Sequence, residues 1–267
     1  MEGGAVNWAA LDFTLLGWPL LAGVLVLSTH VPLGRRVLAR GIIFLDLAIA
    51  QIAVLGVVAA HAFELAPEGW PTQLAAASAA LAGAALLAWC ERHWPEIQEA
   101  LIGSTFVVAA SLAVLLLAHD PHGGEHLSEL LTGQILWATS THVIQIGLLY
   151  AALLMFWAWH SLRSARSGLG NLGFYLVFAL AITASVQLVG VYLVFASLIL
   201  PALAVRKLPR KRGLLTAWLL GALAYAGGLT ASAVFDWPAG PAIVIMLATT
   251  GLIAGNMLRV AAMGRQR

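Results

Sequence analysis

Long stretches without charge most constrain the fold of this chain. The longest runs from Leu172 to Val205 and contains no acidic or basic side chain. With 61% hydrophobic and only 10% charged residues, the chain has more apolar surface than one water-soluble core can hide. Backbone polar groups inside a bilayer must be hydrogen-bonded within the protein, which favours helices. The sequence therefore predicts an all-α, polytopic membrane helix bundle, with residues 1–267 forming a single transmembrane domain.

The basic residues predict how this bundle is threaded through the membrane. Loops rich in lysine and arginine stay on the cytoplasmic side, and a span needs roughly 20 apolar residues. The chain must therefore cross the membrane an even number of times between consecutive basic places. This rule predicts about nine spans, an outer N-terminus and an inner C-terminus. The fourteen basic residues fall in five places: Arg35, Arg36 and Arg40; Arg92; Arg163 and Arg166; Arg206 through Arg212; and Arg259, Arg265 and Arg267.

The stretch from Leu172 to Val205 is too long for one span, because as one helix it would extend about 51 Å. We expect it to divide near Gly190 into two short helices, the second interrupted by Pro201. The other predicted spans are about Leu11 to Leu33, Gly41 to Phe63, Thr72 to Cys90, Ala100 to Ala118, His142 to Trp159, Leu214 to Phe235 and Pro241 to Met257.

Residues 119–126 hold three of the eight histidines and two of the twelve acidic residues. Imidazole and carboxylate groups suit zinc and other divalent transition metals. We therefore predict a metal site on the outer side. Its candidate ligands are His119, Asp120, His122, Glu125 and His126.

The same segment matches the His-x-x-Glu-His pattern of a metal-dependent hydrolase, which would require its histidines one helical turn apart. Its two adjacent glycines disfavour a helix, so we expect a flexible loop that captures metal. A merely solvated polar loop is the alternative.

Asp46 is the one acidic residue well inside a predicted span. Intramembrane carboxylates are energetically costly and usually face a transport pathway or a charged partner. We predict a pathway role for Asp46, with Gln51 and Gln187 as weaker candidates. The alternative for Asp46 is an ion pair with Arg40 near the inner surface.

Three stretches resemble one family, the permease subunits of bacterial ABC transporters for zinc, manganese and iron. The run Val186–Arg206 carries the family's Val-Gly and Leu-Pro-Ala motifs. Asp236-Trp-Pro-Ala-Gly-Pro is similar to its Asp-x-Pro-x-Gly-Pro turn. Arg36 to Gly56 places Asp46 shortly after the first basic loop, as in the family.

The resemblance implies a permease subunit, not an enzyme, in the bacterial inner membrane. It implies a homodimer bound by cytoplasmic ATP-binding subunits and by a periplasmic metal-binding protein. The expected cargo is a divalent metal, zinc first, with manganese and iron as alternatives, and no permanently bound cofactor is expected. The chain lacks the Gly-x-x-x-x-Gly-Lys-Ser/Thr motif of ATP-binding loops, so a partner would supply the energy.

Two departures from the family pattern affect these expectations. Ala50 stands where the family usually carries the histidine of Asp-x-x-x-His. The predicted cytoplasmic link at residues 161–171 is also shorter than the family's docking segment. We therefore expect the ATPase to be coupled through this link together with the basic residues after the seventh span; the alternative is a metal-responsive permease-like protein uncoupled from ATP. The predicted coupling residues are Arg163, Arg166, Arg206, Lys207 and Arg210.

Overall fold

The computed structural model describes residues 13–62, 69–118, 120–163 and 170–264, with the side chains of 13–15, 160–163, 170–171 and 259–264 left undescribed. These residues form nine α-helices and short 3₁₀ turns. The helices are α1 Phe13–Arg40, α2 Leu45–Ala62, α3 Trp70–His93, α4 Gln98–Leu117, α5 Gly123–Thr132, α6 Ser140–Arg163, α7 Gly170–Ala204, α8 Arg210–Phe235 and α9 Ala239–Gly264.

Eight of the described helices are long and apolar enough to cross a membrane. The exception is α5, whose ten residues extend only about 15 Å. The predicted all-α membrane bundle is thus confirmed. The prediction was nine spans because the stretch from Leu172 to Val205 was counted as two. The described structure has one long kinked helix there, α7, which counts as one of the eight.

The break in α7 falls at the predicted residue. Gly190 has φ 77° and ψ 163°, a backbone conformation essentially reserved for glycine. Helix runs up to Gly190 on one side and continues to Ala204 on the other. The expected interruption at Pro201 is wrong, since Pro201 lies within continuous helix. A proline removes one hydrogen bond from a helix, and a membrane bundle can accommodate that loss.

The chain forms two compact units, of which the first comprises Gly41–Leu131 and Leu148–Val191. In it, α2 packs against both α3 and α4. Small residues allow the close approach: a Cβ at Gly56 would collide with Ala75, Ala76 and Ala79 of α3, and one at Gly83 with Ile52 of α2. Such contacts are typical of helices packed within membranes, where small residues bring backbones together.

The other unit comprises Met1–Arg40, Thr132–Gly147 and Tyr192–Arg267, and here α8 packs against α1 and α9. Glycines again mark the contacts, with Gly23 against Tyr225 and Gly228 against Ile243. The Tyr225 hydroxyl is itself hydrogen-bonded to Ser197 Oγ at 2.8 Å. The predicted single domain over residues 1–267 stays a prediction.

The turn between α8 and α9 explains why the Asp-x-Pro-x-Gly-Pro pattern needs its residue types. Asp236 ends α8 in the left-handed conformation at φ 52°, which aspartate tolerates better than most residues. The Ser232 hydroxyl donates to the Trp237 carbonyl at 2.6 Å and closes the turn. Gly240 lies against the Thr132 carbonyl, where a Cβ would collide. The pattern is therefore a structural device for a tight connection.

Candidate functional site

Asp46 lies in the first turn of α2 and is completely buried. Apart from N–H groups at the start of its own helix, neither carboxylate oxygen has a hydrogen-bond partner among the described residues. The pathway role of Asp46 and the alternative ion pair with Arg40 both stay predictions. A buried carboxylate without a hydrogen-bond partner beyond its own helix is costly to maintain.

Glu99 is a second carboxylate at this site, and the sequence analysis missed it. It lies in the first turn of α4, where its Oε1 accepts a hydrogen bond from the Phe44 backbone N–H at 3.3 Å. Its Oε2 is buried without a partner, and its negative charge acts on that of Asp46. The available signal was its position, one residue before the apolar run that begins at Ala100.

Gln98, beside Glu99, fixes the start of α4. Its amide donates to the Tyr175 hydroxyl on α7 at 2.7 Å. Two adjacent side chains thus hold this end of α4 against its neighbours. The Glu99 carboxylate is thereby kept beside α2.

The two predicted pathway glutamines also have unpartnered buried atoms, Gln51 Oε1 and Gln187 Nε2. Gln51 is five residues after Asp46, roughly 140° around the helix, so the two side chains leave α2 in different directions. Gln187 shares one face of α7 with Thr183, one turn earlier, whose hydroxyl oxygen is also unpartnered. The structure records no hydrogen bond between Gln187 and Asp46.

His30 on α1 is a further buried polar residue that the sequence analysis did not select. It is completely buried, and its Nδ1 lies 2.9 Å from the Val26 carbonyl oxygen. Because a carbonyl can only accept, this contact favours the tautomer with its proton on Nδ1 and a bare Nε2. That Nε2 has no partner among the described residues. Metal-ligating histidines commonly have this arrangement, with the far nitrogen donating to a carbonyl.

The prediction of a flexible loop after Asp120 is wrong, because Gly123–Thr132 form the helix α5. Asp120 fixes the turn just before the helix, since its Oδ1 accepts from the His122 N–H at 2.9 Å. Gly123 is needed there because a Cβ would press on the Leu117 carbonyl oxygen at 2.6 Å. A stable turn and a required close contact offset the low helix propensity of the glycines.

The histidines of this segment face different carboxylates. His122 Nδ1 lies 3.3 Å from Glu125 Oε2, and His126 Nδ1 lies 3.4 Å from Asp120 Oδ2. In the part of the chain that the structure describes, no three such groups converge to hold a metal ion. His119 lies outside the described residues. The segment therefore does not build the closed metal centre that the hydrolase alternative requires.

The basic segment before α8 is held by Arg35 of α1. Its guanidinium donates to the Leu208 carbonyl at 3.2 Å and to the Arg210 carbonyl at 3.4 Å. Gly213 packs against the same guanidinium, where a Cβ would collide. The side chains of Arg206, Lys207 and Arg210 are exposed. Of the other predicted coupling residues, Arg166 and the side chain of Arg163 lie outside the described residues.

Known proteins resemble this chain over nearly its whole length. The high-affinity zinc uptake system membrane protein ZnuB of Haemophilus influenzae is 26% identical over 249 residues, covering 87% of this chain and 94% of that protein. The structure of PsaBC from Streptococcus pneumoniae in complex with Fab matches with a TM-score of 0.73 and 23% identity, covering 91% of each chain. An inward-facing metal-chelate type ABC transporter matches with a TM-score of 0.64 and 14% identity, covering 98% of this chain and 93% of that one.

A family match also spans most of the chain. Residues 12–257 match the ABC 3 transport family, and this range includes all three stretches on which the sequence resemblance was based. The prediction of a transport protein without catalysis of its own is confirmed, and the hydrolase alternative is wrong. The chain belongs to the ABC 3 transport family, as a multi-pass membrane permease of a metal ABC transporter.

Proposed function

We propose that this chain is the permease of a zinc importer in the bacterial inner membrane. It works as a homodimer, with ATP hydrolysed by a separate cytoplasmic subunit and zinc delivered by a periplasmic binding protein. Zinc is favoured over manganese and iron by the zinc uptake relative that spans nearly the whole chain. It is also favoured by the histidines on the predicted outer side, since imidazole nitrogen is a preferred zinc ligand.

The observation that carries this proposal is the fully buried Asp46 with the partly buried Glu99 beside it. Two neighbouring carboxyl groups are unfavourable as anions in a membrane protein unless a cation neutralises them. A divalent cation supplies the matching charge. Neither Asp46 oxygen has a hydrogen-bond partner beyond its own helix among the described residues, which leaves the carboxyl group able to bind a passing ion.

Zinc requires further ligands along its path, and polar residues of α2 and α7 offer them. The unpartnered Oε1 of Gln51 is a neutral oxygen ligand. Gln187 on α7 would contribute its carbonyl Oε1, because an amide nitrogen is a hydrogen-bond donor and does not bind a metal. Weak, neutral ligands suit a path because an ion must leave each position as well as enter it.

Coupling to the ATPase uses the basic segment held by Arg35. Transport by rigid-body movement requires a stiff contact between permease and ATPase, and the two carbonyl bonds from Arg35 immobilise the backbone of this segment. The exposed Arg206, Lys207 and Arg210 then offer positive charge to an acidic surface. Arg163 and Arg166, in the short predicted cytoplasmic link, complete the proposed docking surface.

The homodimer uses apolar helix surface that this chain leaves uncovered. Only 11% of the α9 span and 17% of the α4 and α6 spans are buried. Lipid covers such surface in a membrane, and a second copy of the chain can replace part of that lipid.

The proposal is tested with purified permease and the ATPase encoded beside it, reconstituted together in vesicles. Zinc-65 should accumulate only with ATP, and the isotope should be displaced by unlabelled zinc better than by manganese. A preparation with an ATPase unable to hydrolyse ATP is the control. ATP-dependent accumulation of manganese but not zinc would contradict the choice of metal, and failure of the two subunits to co-purify would contradict the coupling.

A further inference from the structure

His61 and His126 form a close pair of imidazoles in the unit that contains α2 and α5. His61 lies in the last turn of α2, and His126 lies in the second turn of α5. Their ring centroids are 5.9 Å apart, with an angle of 34° between the ring planes. No sequence motif indicates a role for His61. The two helices that carry these residues are separated by about 60 residues of chain, so only the fold brings the rings together.

Each ring has one nitrogen turned towards an acceptor of the protein. His61 Nδ1 lies 3.2 Å from the Val57 carbonyl oxygen, and His126 Nδ1 lies 3.4 Å from Asp120 Oδ2. A carbonyl and a carboxylate favour the tautomer that carries its proton on Nδ1. In that tautomer each ring presents a bare Nε2, and metal ligation by histidine uses this arrangement.

Asp120 is itself fixed in place. Its Oδ1 accepts from the His122 backbone N–H at 2.9 Å, while its Oδ2 faces His126. The carboxylate that fixes the turn before α5 thus also faces an imidazole in the helix. Such orienting carboxylates are common behind zinc-binding histidines.

The separation of the rings fits a shared zinc ion. With Zn–N bonds of about 2.0–2.1 Å, two imidazoles at a tetrahedral angle have centroids about 5 Å apart. The pair needs to close by less than about 1 Å relative to the observed 5.9 Å. His126 is about half exposed, so its side chain has room for this rotation.

We infer that His61 and His126 together bind a divalent metal of the zinc type, with Asp120 as the residue that positions His126. Only two protein ligands hold the ion, and water or a group from a delivering protein completes its coordination. Two ligands give weak binding, which suits a position that must release its ion to a pathway. The inference rests on the proposed transport of zinc and adds a site of capture to it.

Zinc binding to the purified permease in detergent tests the pair, measured by equilibrium dialysis against zinc-65. His61→Phe and His126→Phe keep a flat ring in place but remove the nitrogen. Each should weaken binding of one zinc ion at least about tenfold, and the double variant should lose no more than either single one, because both ligands serve one ion. Asp120→Asn should weaken the same ion by about 10–100-fold.

His93→Phe is the matched control. His93 makes the same kind of Nδ1 contact with a backbone carbonyl, at 2.9 Å from Trp89 O, but its described ring neighbours are tryptophans. Wild-type zinc binding in the double variant would overturn the inference, and so would an equal loss in His93→Phe. If the variants lose the ion while the wild-type transporter fails to accumulate zinc, the site stands and the proposed transport fails. If the wild-type transporter accumulates zinc and the variants bind zinc normally, the proposed transport stands and the inferred site fails.

Discussion

Glu99 on α4 and Asp46 on α2 place two carboxyl groups close to each other at the start of α2. Glu99 is held there by the Phe44 backbone N–H. The contact combines residues more than fifty positions apart in the sequence. Two neighbouring carboxyl groups can attract a divalent cation into a region that otherwise offers mostly apolar side chains.

Removing the charge of Asp46 should stop transport without unfolding the bundle. We expect Asp46→Asn to lower zinc-65 uptake more than tenfold, with Glu99→Gln causing a smaller loss. The melting temperature should hold or rise in both variants, because replacing a buried charge relieves a desolvation cost. Glu96→Gln, an equal change at an exposed position, serves as the control. Normal uptake by Asp46→Asn would remove this residue from the pathway.

His30 should be replaceable at little cost in stability but not in function. We expect His30→Leu to keep the melting temperature of the bundle, since it removes an unsatisfied buried nitrogen. Zinc uptake should fall severalfold if the bare Nε2 contributes a ligand. Ser28→Ala, two residues away, controls for local packing, because the Ser28 hydroxyl bonds only to its own helix at Leu25. Equal uptake in the two variants would assign His30 a packing role.

Gly190→Ala should destabilise the protein by about 1–3 kcal/mol, because the conformation at φ 77° and ψ 163° is strained for any residue with a Cβ. Thermal unfolding in detergent measures the loss. Gly251→Ala is the matched control within a regular helix, where the nearest atom to an added Cβ is the Leu200 carbonyl oxygen at 3.6 Å. An equally stable Gly190→Ala variant would show that the break in α7 can be replaced by regular helix.

Arg35→Lys should separate ATP hydrolysis from transport. Lysine lacks the planar fork that reaches both the Leu208 and Arg210 carbonyls, so the basic segment should become mobile. We expect zinc uptake to fall severalfold while ATP hydrolysis continues, as measured on the same vesicles. Arg92→Lys changes an exposed arginine in the same way and should leave both rates unaltered. Parallel loss of both activities in Arg35→Lys would indicate a failure of assembly instead.

Much of the architecture was predictable because membrane insertion depends on local properties. Apolar length and the position of basic residues locate helices, and the helix breaks at Gly190 as predicted. The helical conformation of the segment after Asp120 was not predictable from glycine propensity. The hydrogen bond from the His122 N–H to Asp120 and the close approach of Gly123 to the Leu117 carbonyl stabilise it, and helix propensity reveals neither.

The sequence by itself determined the class of protein, the family, and Asp46 as a residue of interest, since each depends on composition or on residues close together in the chain. Tertiary structure decided which groups meet. Helix packing places Glu99 close to Asp46 and His61 close to His126. It also places Arg35 against the segment before α8. The physical reason is that charge repulsion, metal ligation and hydrogen bonding act over a few ångströms in space, whatever the separation along the chain.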